Sequence, residues 1–427
     1  MRRILSRIAA AVSICVSAAA QTPADIDKAR ASFAEAEQVS DHDDGKLWGQ
    51  PLYGPMLVVD PVTRAVMANE ADDAGALHKE GDVYAGRLPD TLALGYTSVD
   101  WGGKRWTMLL LPLPADTLLR RTAMGHEMFH RIEPGLGIKP INVLNLHLDT
   151  SEGRIWIELE WRALAAALAT QGEVQEGAIR DALAFRAHRQ ALFAGSAESE
   201  RMMEIVEGLA EYTGLVAAAS DRGAMLWNVM GRLTRPDAES TFVRTFIFTS
   251  VPAYGLLLDE RQPGWRRSIT QNSDLGAMLR STLKRSATAS AEEAAQRYGA
   301  TAIRAAETER AAVKAAEKAR FHKLLVEGPT LTLPNAGQFN FSFNTTTIVS
   351  LGDDGAVYPT FHATDAWGTL DVKDGALVPT DYSKAVLPAP SKNEGQHLEG
   401  PGWTLDLAPG WRAVPESKTG SFVVRKA

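Results

Sequence analysis

Apolar residues fall in three different rhythms along this chain. Between positions 56 and 111 they form short runs: Met56-Leu57-Val58-Val59, Arg64-Ala65-Val66-Met67, and Arg105-Trp106-Thr107-Met108-Leu109-Leu110-Leu111. The first two flank Asp60-Pro61, which predicts a hairpin. The third is bounded by Gly102-Gly103 and Pro112, which predicts a buried or edge strand. From about 116 the spacing changes to three and four residues. Leu118, Leu119, Thr122, Ala123, Met124 and Phe129 line one side of a helix that Asp116 or Thr117 can cap and that Pro134-Gly135 ends. Further helices are predicted over 155–169, 174–193 and the stretch around Met202, Ile205, Val206, Leu209, Tyr212 and Val216. Residues 274–327, rich in alanine and alternating charge, predict one or two long helices. Past Gly328 the runs shorten again and alternate between turns rich in Gly, Asp, Pro and Asn.

These rhythms predict an α+β chain. A β-rich N-terminal lobe would span 21–115, a mainly helical domain 116–327, and a small sandwich-like all-β domain 328–427. Ahead of them, Arg2, Arg3 and Arg7 precede an apolar run from Ile8 to Val16 and the small residues Ser17-Ala18-Ala19-Ala20. This is the order of a secretory signal peptide over 1–20, so the expected destination is the periplasm or the exterior. The only cysteine, Cys15, lies inside that leader, which leaves the mature chain without thiol or disulfide chemistry. No later segment has the roughly 18 apolar residues of a membrane span. A net charge of −7, with no basic cluster interleaved with aromatics, argues against a nucleic-acid partner.

The chemistry concentrates at His126-Glu127-Met128-Phe129-His130. H-E-x-x-H in a helix sets two imidazoles one turn apart on one face, where both can grip one zinc ion, with Glu127 beside them as the base that takes a proton from water. With 9 histidines in 427 residues, a chance match is rare. A catalytic zinc site needs a third protein ligand. The extension H-x-x-G-x-x-H is absent, because Glu133 stands at the glycine position and Leu136 at the third histidine. Glu204, Glu207, Glu211 and His147 are all available for the role.

A predicted strand leading into a helix with H-E-x-x-H, followed by Glu207-Gly208-Leu209-Ala210-Glu211-Tyr212, resembles the gluzincins, the thermolysin-like and aminopeptidase-like zinc peptidases. The resemblance covers roughly residues 100–260 in the order of elements, although the spacer from 131 to 206 is longer than in those families. It implies His126, His130 and Glu207 as zinc ligands, Glu127 as general base, Glu211 as the carboxylate that orients a ligand histidine, and a peptide or protein substrate. Gly208 is expected to let the two helices approach closely. Tyr254 and His147 are the expected candidates for stabilising a developing oxyanion. The alternatives are a zinc hydrolase acting on another bond, and an inactive metal-binding protein that recognises peptides.

Overall fold

The computed structural model describes residues 23–427 except 90, 91, 93, 142, 236–240, 285–289, 338 and 344–346. The expected leader, 1–20, lies outside the described residues. The fold is mixed, with an N-terminal β region, a helical middle and C-terminal β-sheets. By compactness the chain divides into two units. One comprises Met1–Pro140, Val206–Met225 and Gly264–Gln271, and the other Ile141–Ile205, Leu226–Pro263 and Asn272–Ala427. The helical stretch 116–327 therefore contributes to both.

The strands of the first unit are β1 (Met56–Val59), β2 (Ala65–Ala68), β3 (His78–Glu80), β4 (Val83–Arg87), β5 (Thr97–Trp101) and β6 (Lys104–Leu110). They form one sheet in the order β3-β4-β2-β1-β6-β5. The pairing of β1 with β6 is parallel, and every other pairing in this sheet is antiparallel. At the expected hairpin, Asp60 Oδ1 accepts the amides of Val62 and Thr63 at 2.8 and 3.1 Å, closing the turn between β1 and β2. Leu57, Val59, Val66, Trp106 and Met108 bury one face of the sheet. β5 is left as an edge.

The α-helices between Pro23 and Ala218 are α1 (Pro23–Asp43), α2 (Thr117–Ile132), α3 (Ser151–Leu168), α4 (Gly172–Leu192), α5 (Ser196–Met203) and α6 (Leu209–Ala218). Asp116 caps α2 by accepting the Leu119 amide, and a short 3₁₀ turn at Glu133–Leu136, carrying Pro134, comes after its last residue. α2 and α6 cross at two glycines. A Cβ on Gly125 would lie 2.7 Å from Gly214 Cα, and one on Gly214 would lie 2.2 Å from the Thr122 carbonyl oxygen. Gly125 and Gly214 thus let the backbones of α2 and α6 come close. Gly214→Ala is expected to push the helices apart, lowering stability by about 1–3 kcal/mol, measured by denaturant titration. It should also weaken metal binding, because the clash falls beside the His126 amide, 2.9 Å from the added carbon.

In the second unit α3 and α4 bury Trp156, Trp161, Leu164 and Phe185. The long helix of the 274–327 stretch runs over Ala300–His322, with shorter helices at Leu275–Ser281 and Ala291–Ala295. The C-terminal segment forms a seven-stranded and a six-stranded sheet. Leu331, Leu333 and Leu387 from the first and Leu370, Leu398 and Leu405 from the second share one hydrophobic core.

Candidate functional site

The site is built where α2 meets α6. His126, Glu127 and Phe129 are buried on α2, as the apolar side of that helix requires. Trp48 steadies both helices: its indole donates to Thr213 Oγ1 at 2.9 Å on α6, and its ring packs 4.9 Å from Phe129 on α2. The far end of α2 is tied down by Arg131, which donates to the carbonyls of Leu52 and Tyr53. Ser98, on the edge strand β5, donates to the His130 carbonyl at 3.1 Å.

His126 Nε2 and His130 Nε2 stand 3.0 Å apart, and Glu207 Oε2 lies 3.7 Å from each. Two ligand atoms held at about 2.1 Å in a tetrahedral zinc site stand roughly 3.4 Å apart, so these three separations bracket that spacing. The other ring nitrogens are engaged: His126 Nδ1 with Glu211 Oε2 at 3.2 Å, and His130 Nδ1 with Glu133 Oε2 at 2.9 Å. Carboxylates can only accept here, so both Nδ1 atoms carry the hydrogen and both Nε2 lone pairs turn inward. Two ring nitrogens and a carboxylate oxygen then converge. His126, His130 and Glu207 could hold a metal ion.

The electrostatics arise from that convergence. Burial pushes the His126 imidazole down, but Glu207 and Glu211 outweigh it and raise it to about 9. Burial likewise opposes His130, while Glu133 and Glu207 raise it to about 10. At 3.0 Å the two Nε2 atoms can share one proton but have no room for two. Burial works against ionisation of Glu207, yet the imidazoles beside it hold its carboxyl well below the usual range. Two carboxyls of the site are buried, raised and left with one unpartnered oxygen among the described residues: Glu133, whose other oxygen bonds His130, and Glu127. Glu127 is 5 % exposed, burial pushes its carboxyl up, and Oε2 has no hydrogen-bond partner among the described residues. A base with a raised pKa and a free oxygen is suited to accept a proton near neutral pH.

The structure separates the four candidates for third ligand. Only Glu207 joins the imidazole pair. Glu211 takes the orienting place on His126, whereas Glu204 is fully buried against Arg186. His147 lies in the other unit, with Nε2 bonded to Glu200 Oε1 at 2.7 Å. Tyr254 is not at the cluster either: it is completely buried in the second unit and donates to Glu160 Oε1 at 2.7 Å. Both expected oxyanion stabilisers are therefore spent on internal contacts, because a buried polar side chain must satisfy its own hydrogen bonds first.

Two residues at the site are not evident from the sequence. Glu133 orients His130, and the signal for it is its place three residues past that histidine, one helical turn on the same face. Tyr96, 39 % exposed just before β5, donates to the Leu110 carbonyl at 2.9 Å, and burial together with the Glu127 charge raises its phenol. Comparison with protein-family models, curated proteins and solved structures finds no match to this chain.

Proposed function

We propose that this protein is an exported zinc-dependent peptidase, with His126, His130 and Glu207 as metal ligands. The observation that carries this reading is the buried Glu127 carboxylate, with an unpartnered oxygen, next to a converging His–His–Glu donor set. Zinc bound there would supply Lewis acidity, polarising a carbonyl and lowering the pKa of water to about 7. Glu127 takes the proton of the attacking water and returns it to the leaving amine. Glu211 and Glu133 hold the imidazoles in the tautomer that presents Nε2. A peptide is favoured over other substrates by β5, an edge strand whose Ser98 touches α2 at His130. Its open side offers backbone groups with which an extended chain can pair. The intact base argues against an inactive peptide-recognition protein. Periplasmic or secreted placement rests on the charged, apolar and small-residue order of 1–20.

Cleavage of a peptide library by the zinc-loaded protein tests the reading. The expected result is hydrolysis that a chelator stops and zinc restores. If the loaded protein cleaves no peptide but hydrolyses small esters or amides, the reaction is hydrolysis of another bond. If it hydrolyses nothing, the protein is a binder.

The raised imidazoles make a separate prediction. The proton shared by His126 and His130 stays in place through neutral pH, so an incoming metal ion must displace it. At least one proton per ion should be released at pH 7, and apparent affinity should rise as pH climbs from 6 towards about 9. Isothermal titration calorimetry in buffers of different ionisation enthalpy reads this directly. Identical heats in every buffer would contradict the proton-bridged pair.

A further inference from the structure

α5 does not run into α6 as a regular helix, because a π-turn at Glu204–Gly208 joins them. In an unbroken α-helix residues seven apart drift by only about 20°, so Glu204 and Glu211 would share one face. A π-turn inserts about one residue and rotates the helix beyond it by roughly a quarter turn. The rotation splits the acidic stripe. Glu200 and Glu204, before or at the turn, meet Arg189 and Arg186, while Glu207 and Glu211 reach the histidines.

A π-turn is less stable than the α-helix it interrupts, so side-chain contacts must hold it in register. Those on its N-terminal side are fully buried. Arg186 binds both oxygens of Glu204, with Nη2 2.8 Å from Oε2. One turn earlier, Arg189 grips Glu200 through two hydrogen bonds of 2.8 and 2.9 Å. Arg189 also donates to Glu160 at 2.6 Å, and Glu160 accepts the Tyr254 hydroxyl. Taking this many charges out of water is expensive, and replacing a buried ion pair by apolar residues is often neutral or stabilising. Stability alone is thus a weak reason for the network, and register is a better one.

We propose that Arg186, acting through Glu204, is a positioning residue that fixes where the π-turn begins and so seats Glu207 against His126 and His130. This rests on Glu207 being a metal ligand. The test removes both partners at once, so that no lone charge is left buried: Arg186→Leu with Glu204→Leu. The double variant should stay folded, judged by circular dichroism and thermal midpoint, yet bind zinc about 10–100-fold more weakly in chelator competition, the range typical of ligand-orienting contacts. Its cobalt-substituted form should show an altered visible absorption spectrum, which a merely structural loss would not produce. Parent affinity and an unchanged cobalt spectrum would overturn the proposal. Should the double variant fail to fold, Arg186→Lys keeps the charge but loses the two-pronged grip. It should show a smaller shift of the same kind, and parent behaviour there overturns the proposal equally. Glu207→Ala in the parent background separates the two ideas. If it leaves zinc binding intact, the ligand assignment falls and this inference with it. If it abolishes binding while the double variant binds like the parent, only the positioning role falls.

Discussion

Glu127→Gln should retain the metal and lose the chemistry. Glutamine has nearly the same shape as glutamate, so it fits the 5 % exposed pocket on α2. Glu127 is not among the three residues whose donor atoms converge, so the metal site keeps its ligands. What disappears is the proton acceptor. Loss of a general base typically lowers turnover about 100- to 10,000-fold, and turnover should fall by that much while zinc content stays at the parent level. Both quantities are to be measured on one preparation, with a substrate taken from the peptide library. Near-parent hydrolysis by a zinc-loaded Glu127→Gln protein would remove this residue from the mechanism. Parallel loss of zinc and activity would show instead that the carboxylate holds the site together.

What the sequence reveals of the site is what depends on short-range geometry. His126 and His130 are one turn apart on one helix, so any helix containing them brings the rings together. The Nε2 separation of 3.0 Å agrees with that placement. Glu133 is equally local, but in the sequence it stands out only as the residue at a missing glycine, which hides its reach back to His130. The π-turn is different in kind. Glu204-Ile205-Val206-Glu207-Gly208 carries no π signal, and the turn is held from outside by Arg186 and Arg189 on α4, a choice made by tertiary packing. The same limit applies to the sheet. β1, β2 and β6 are apolar and visible, whereas β3, with the sequence His-Lys-Glu, and β5, with Thr-Ser-Val-Asp-Trp, are strands only because neighbours supply their hydrogen bonds. His147 and Tyr254 look available for catalysis in the sequence because it does not show that Glu200 and Glu160 already engage them.

The carboxylates around the histidines should fail in two distinct ways. Glu207 Oε2 is 3.7 Å from both Nε2 atoms, which makes it the third donor. Glu207→Ala deletes that donor and leaves two imidazoles, too few to keep zinc against a chelator, so retention should be nearly abolished. Glu211 and Glu133 meet the outward Nδ1 atoms, at 3.2 and 2.9 Å. Replacing either by Ala leaves three donors but frees one ring to rotate or change tautomer, which typically weakens metal binding about 10–100-fold. Because each carboxylate also raises its imidazole, the variants should differ from the parent in pH dependence. In Glu211→Ala the His126 ring loses one of the three carboxylates, Glu207, Glu211 and Glu127, that hold it near 9, so protons compete less well and zinc binding should persist to lower pH relative to its own maximum. In Glu133→Ala the same shift is expected through His130. Zinc affinity measured from pH 6 to 9 on all three variants decides the matter. Equal losses for Glu207→Ala and Glu211→Ala, with identical pH profiles, would mean that the two residues do not play separate roles.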